Sequence, residues 1–131
     1  MISFIHQPAI LTVARILFVA LFFQDAIFNK IMHAEKSMAL MASMNLPFRK
    51  VLLVLLVAFE LIGGLMLIMN WYTSIVVLFF GLFCFTVSFL FHPFWQYKNL
   101  ADMQNQMNHF MKNMAISGGA IYIAAYSLLS S

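Results

Sequence analysis

The sequence predicts an all-α integral membrane protein: a four-helix bundle with an interfacial amphipathic helix before the fourth span. Two compositional facts and one pattern carry that expectation. Of 131 residues, 64% are hydrophobic and only 8% are charged, whereas a soluble domain uses about a quarter of its residues as charge. Mean hydropathy is +0.95. The apolar residues gather into four runs, each close to the roughly 20 residues a helix needs to cross the hydrocarbon core. The chain therefore reads as one domain over residues 1–131.

The first run covers residues 8–28 and contains Arg15, Gln24 and Asp25. A cleaved signal peptide places its basic residues before the apolar stretch and small residues after it. Here Arg15 lies inside the run and Gln24-Asp25-Ala26-Ile27-Phe28 is no cleavage site, so a retained span is expected. The second run, 48–69, has Glu60 as its interior charge. The third, 71–91, stops where Pro93 disfavours helix at His92. The fourth covers 112–129. Ahead of it Met103, Met107, Met111 and Met114 recur at helical spacing, with Asn105, His109 and Lys112 on the other side. That pattern predicts an amphipathic helix on the membrane surface which turns into span four. Thioethers suit Cu(I), but flexible apolar filler is the commoner use of methionine, and no metal site is assigned.

Four spans put both long connections, 29–47 and 92–111, on one side. That side carries Lys30, Lys36, Arg49, Lys50, Lys98 and Lys112, six of the seven basic residues. The positive-inside rule then places both long loops in the cytoplasm and both termini outside. The pI of 9.3 has the same origin, because the basic residues form no patch suited to nucleic acid. Cys84 is the single cysteine, which excludes an intramolecular disulfide and a two-cysteine redox cycle. A thiol in an apolar run is usually inert.

Charges inside a span are costly and face a partner or a cavity. Counting about 1.5 Å per residue, Arg15 lies roughly 10 Å and Glu60 about 12 Å from the terminal face. An intramembrane ion pair between Arg15 and Glu60 is expected, either architectural or part of a ligand site. A second set gathers near the cytoplasmic ends: Asp25, Lys30, His92, His109 and Lys112. Asp25 needs a counter-charge there, for which Lys112 or one histidine is the natural choice. With Phe91, Phe94 and Trp95 as an aromatic lid, the candidate ligand-binding residues are Asp25, Lys30, His92, Trp95, His109 and Lys112. The plainer reading is an interfacial belt, since Trp, Lys and His anchor helices at head groups. A quinone suits an apolar aromatic cavity with donors such as His92 and Lys112. Haem is disfavoured, because a histidine pair at a helix end is more often hydrogen-bonded structure. Gly63-Gly64 and Gly118-Gly119 permit close helix contact.

Four segments resemble the DoxX family of small bacterial membrane proteins. They are Arg15-Ile16-Leu17-Phe18 with Asn29-Lys30, Glu60-Leu61-Ile62-Gly63-Gly64, Phe91-His92-Pro93-Phe94-Trp95, and the segment from His109-Phe110-Met111-Lys112 to Gly118-Gly119. The resemblance implies a four-helix bundle in the bacterial inner membrane, with both termini periplasmic under the charge argument above. It also implies an association with redox chemistry, through the membrane subunit of a thiosulfate–quinone oxidoreductase and through thiol-stress complexes. Relatives often carry a small residue such as Gly before the lysine of span one, where this chain has the bulkier, charged Gln24-Asp25, which offers a local partner to Lys30 or Lys112. Two functional classes follow. One is a redox-associated subunit that binds a quinone or another small lipophile and depends on a redox partner protein. The other is a non-enzymatic scaffold or lipid- or lipophile-binding module. Membrane lipid is a partner in both, a homodimer is compatible with both, and a transport path has little room in one chain that shows no inverted repeat. Catalysis is assigned to no residue.

Overall fold

The computed structural model describes residues 8–129, and every regular element among them is helical. In order they are α1 (Pro8–Gln24), a π-helical segment (Asp25–Met32), α2 (Ala34–Ser43), α3 (Arg49–Ile68), α4 (Thr73–Phe91), a 3-10 turn (Phe94–Gln96) and α5 (Leu100–Leu129). Three stretches are long and apolar enough to cross a membrane: Ala9–Met32, Arg49–Ile68 and Thr73–Gln96. They fall on the first three expected spans, the first running on to Met32 instead of stopping at Phe28. Large apolar side chains such as Leu17, Val54 and Phe79 are exposed, a surface that water penalises and hydrocarbon does not.

The fourth element departs from expectation. A single unbroken helix of 30 residues, α5, replaces the surface helix that was to turn into span four. The segment holds no proline, and its first glycine is Gly118, so nothing in it breaks the helix. Asn99 starts it cleanly: its side-chain oxygen accepts from the backbone N–H of Ala101 at 2.9 Å and of Asp102 at 3.3 Å. That satisfies two of the donors a helix start leaves open. At about 1.5 Å per residue α5 is about 45 Å long, longer than a hydrocarbon core of about 30 Å.

Two asparagines stop helices by the same device. Asn45 and Asn70 take positive φ, 57° and 59°, just past α2 and α3. The following N–H then turns back to the helix, Leu46 to the Met41 carbonyl at 3.1 Å and Trp71 to that of Met66 at 2.8 Å. This closes the last turn in a Schellman motif, where Asn is the usual substitute for Gly.

The chain divides after Trp71 into two compact units. In the first, α1 packs on α3 at Gly64. A Cβ there would overlap the Phe23 ring and come within 2.9 Å of Val19 Cγ1. The buried positions of α3 are Leu53, Glu60, Gly63, Gly64 and Leu67, one face at helical spacing. In the second unit α4 packs on α5 at Gly81, where a Cβ would stand 3.1 Å from Ala120 Cβ and 3.3 Å from the Ser117 carbonyl. Ser117, Ala120 and Ala124 form the buried stripe of α5. Gly118 and Gly119, expected as contact points, have nothing within 4 Å of where a Cβ would be. They lie beside the stripe, and the small residues on it make the approach.

Candidate functional site

In the first unit the ionisable side chains converge where the helix changes pitch. In an α-helix, residues five apart point about 140° away from each other. A π-helix bonds i to i+5 and brings them onto one side. The π segment begins at Asp25, and as a result Lys30 reaches the Asp25 carboxylate, forming a salt bridge through Oδ2. Asn29, one residue nearer, donates from Nδ2 to Asp25 Oδ1 at 2.8 Å. The same ammonium lies 2.6 Å from Glu60 Oε1 on α3. Exposure falls along the cluster, from 32% for the Asp25 side chain to 11% for Lys30 and 0% for Glu60. The Asp25 and Glu60 carboxylates thus share one ammonium, Lys30 Nζ. Glu60 Oε2 has no hydrogen-bond partner.

This arrangement corrects one expectation and resolves another. Glu60 does not pair with Arg15, which instead donates from Nη2 to Thr12 Oγ1 at 3.1 Å. The physical reason is register. Gly64 sits against Val19 and Phe23, so on these antiparallel helices Glu60, four residues earlier, falls opposite the neighbourhood of Asp25. Arg15 falls opposite the far end of α3, about 15 Å further along. For Asp25 the structure selects among the expected partners: its counter-charge is Lys30 on its own helical segment, not Lys112 or a histidine.

In the second unit the junction after α4 is built on the two histidines. His92 ends α4, and its Nδ1 donates to Gln106 Oε1 at 2.8 Å. Its ring stacks on His109 with centroids 5.1 Å apart. Gln106 lies three residues before His109, hence on the same face of α5. The His109 imidazole is held below its ordinary pKa by partial desolvation, then by the neighbouring His92 and Lys112 charges. Beside this pair Phe110 is the hub of an aromatic cluster. It meets Phe89 at 5.2 Å, Phe94 at 5.2 Å and Trp95 at 5.9 Å, all edge-to-face, the arrangement aromatic quadrupoles favour. Of the expected lid, Phe94 and Trp95 take part, and Phe89 stands where Phe91 was anticipated. Trp95 is half exposed and Lys112 is exposed.

Of the expected ligand residues, Asp25 and Lys30 meet in the first unit, and His92 and His109 meet in the second, next to Trp95. Gln106 and Phe89 were not singled out in the sequence, and Asn29 and Phe110 stood there only within the family segments, with no place in a site. Helical spacing held the signal for three of them: Asn29 is four after Asp25, Gln106 three before His109, and Phe89 three before His92. Among the described residues, no three or more His, Cys, Asp or Glu side chains are grouped so as to hold a metal ion.

A model of the DoxX family matches residues 10–93. The match takes in Asp25, Lys30, Glu60 and His92 and ends before His109. The chain is also 25% identical over 118 residues to the inner membrane protein YphA of Escherichia coli (strain K12), which covers 90% of this chain and 83% of that protein. No solved structure matches the chain. A family match over well more than half the length, on a chain with three helices fit to span a membrane, settles the classification: this is a member of the DoxX family, a multi-pass protein of the inner membrane.

Proposed function

We propose that the protein is a membrane subunit that holds a quinone, or a similar small lipophile with a polar ring, at the junction of α4 and α5. The observation that carries this reading is Phe110, which gathers three further aromatic rings directly beside a stacked histidine pair. A planar, amphipathic head group needs both halves of that arrangement: ring faces for its carbon skeleton and one or two polar partners for its oxygens. Because His92 donates from Nδ1 to Gln106, its neutral ring keeps Nε2 as an acceptor, which suits a hydroxyl. Lys112 supplies a donor for a carbonyl. Quinone fits these residues as a bound group, and its own two-electron chemistry would be the redox contribution.

The chain's single cysteine, Cys84, is buried in α4, so any thiol exchange falls to a partner protein. The topology belongs to the same proposal. All four long helices cross the membrane, α5 crossing with residues 112–129 and projecting its first half into the cytoplasm, with both termini periplasmic. The second reading, a lipid-binding or scaffolding module, draws on the half-exposed Trp95, which also suits a head-group anchor.

Purified protein, examined by absorbance for haem or flavin and by mass spectrometry of a solvent extract, separates the readings. The expected result is a quinone enriched over its share of the membrane lipid, reduced about fivefold in Phe110→Ala as a ring contact worth about 1 kcal/mol is lost. An extract that mirrors bulk lipid in both proteins sinks the quinone reading and leaves the scaffold.

A further inference from the structure

We infer that Asp25, Lys30 and Glu60 form an intramembrane proton-binding site, in which the two carboxyls hold one exchangeable proton between them. This site lies in the first unit and is independent of the lipophile reading.

Charge is the first argument. Two carboxylates face a single ammonium, so with all three ionised the cluster carries one negative charge inside an apolar helix pair. An uncompensated charge in that setting costs several kcal/mol, which a cation or a proton removes.

Geometry is the second argument, and it is independent. Glu60 is completely buried, yet its Oε2 has no hydrogen-bond partner. The Asp25 carboxyl meets the same Lys30 ammonium as Glu60, so two like charges crowd one cation, and two ionised carboxylates have no hydrogen to share. One added proton converts that repulsive contact into an O–H···O bond and makes the cluster neutral. The falling exposure from Asp25 through Lys30 to Glu60 gives the proton an entry at Asp25 and a buried end at Glu60. On uptake a carboxylate becomes a carboxyl, and on release the proton leaves by Asp25.

Among the described residues of the first unit, the surrounding elements offer no competing charge. On α1 the ionisable side chain is Arg15, engaged with Thr12. On the π segment they are Asp25 and Lys30 themselves. His33, which follows it, is exposed with its Nδ1 on the Phe28 carbonyl oxygen. Glu35 and Lys36 on α2, and Arg49 and Lys50 at the start of α3, are exposed.

Infrared spectroscopy of the full-length protein in lipid vesicles tests the site directly. The chain has four acidic residues, and Glu35 and Asp102 are exposed, so a protonated-carboxyl C=O band at neutral pH is assignable. The expected result is one such band that shifts in heavy water and fades as the pH is raised. It is absent in Glu60→Gln. It is also absent in the isosteric Asp25→Asn, where Lys30 and Glu60 become a neutral pair that needs no proton. Glu35→Gln and Asp102→Asn leave it unchanged. The wild-type spectrum needs no variant to fold: no band between about pH 6 and about pH 8 overturns the site. A band that persists in Asp25→Asn overturns the sharing. Displacement of the band by added sodium at constant pH makes the ligand a metal cation and overturns the proton.

Discussion

A lysine that is 11% exposed and touches two carboxylates cannot be removed in isolation. Lys30→Met leaves Asp25 and Glu60 facing each other without a cation, and breaking a buried ionic group by deleting one partner costs about 3–5 kcal/mol. Thermal melting in detergent reads this as a large drop in midpoint. The triple variant Lys30→Met/Asp25→Asn/Glu60→Gln removes the charges together and loses less than Lys30→Met alone. A triple variant as unstable as the sum of its parts means the three residues do not act as a unit. The register of α1 on α3 gives the complementary expectation for Arg15. Arg15→Ala and Glu60→Ala add, within about 0.5 kcal/mol, because they share no contact. Coupling between them would restore the pair that depth alone suggested.

At the scale of elements, two glycines with the same sequence signature have opposite roles. Gly64 is where α1 and α3 touch, so Gly64→Val drives a branched side chain into Phe23 and Val19. Overpacking of that kind costs about 1–3 kcal/mol, and it also shifts Glu60, one turn away on the same face. Gly118→Ala meets no atom within 4 Å and gains helix propensity of up to about 1 kcal/mol. Melting of the two variants should therefore move in opposite directions. Equal losses would mean that Gly118 is a contact point after all. Paired glycines are visible in any sequence, but which pair lies on the buried face depends on the phase of the whole helix. The π segment belongs here too. Its eight residues carry no sequence mark that distinguishes them from α-helix, yet its pitch decides that Asp25 meets Lys30. The asparagines that end α2 and α3 are the converse case, a local signal with a local cause.

For the molecule as a whole, the distribution of basic residues makes one prediction. A reporter fused to the carboxy terminus is active in its periplasmic form and silent in its cytoplasmic form; cytoplasmic activity would reverse the orientation or remove α5 from the membrane. The three long apolar helices and their ends at Pro93 and Asn70 were legible because each follows from residues close in sequence. The family was legible for the same reason, through Glu60-Leu61-Ile62-Gly63-Gly64 and Phe91-His92-Pro93-Phe94-Trp95, both inside the matched region. The continuity of α5 was not, since a polar first half and an apolar second half read as two elements when hydropathy is the guide.

Composition and periodicity by themselves determined that this chain lives in a membrane, where its three most apolar helices lie and which few charges fall within them. Those are properties of local segments and of transfer from water to hydrocarbon. Which charge meets which was decided only by tertiary structure. Pairing depends on how Gly64 sets α1 against α3 and on a change of helical pitch at Asp25, and neither is additive over residues. Counting depth from a span's end put Arg15 beside Glu60. The packed helices put Lys30 there, together with Asp25, and so created a buried three-residue cluster with one negative charge too many.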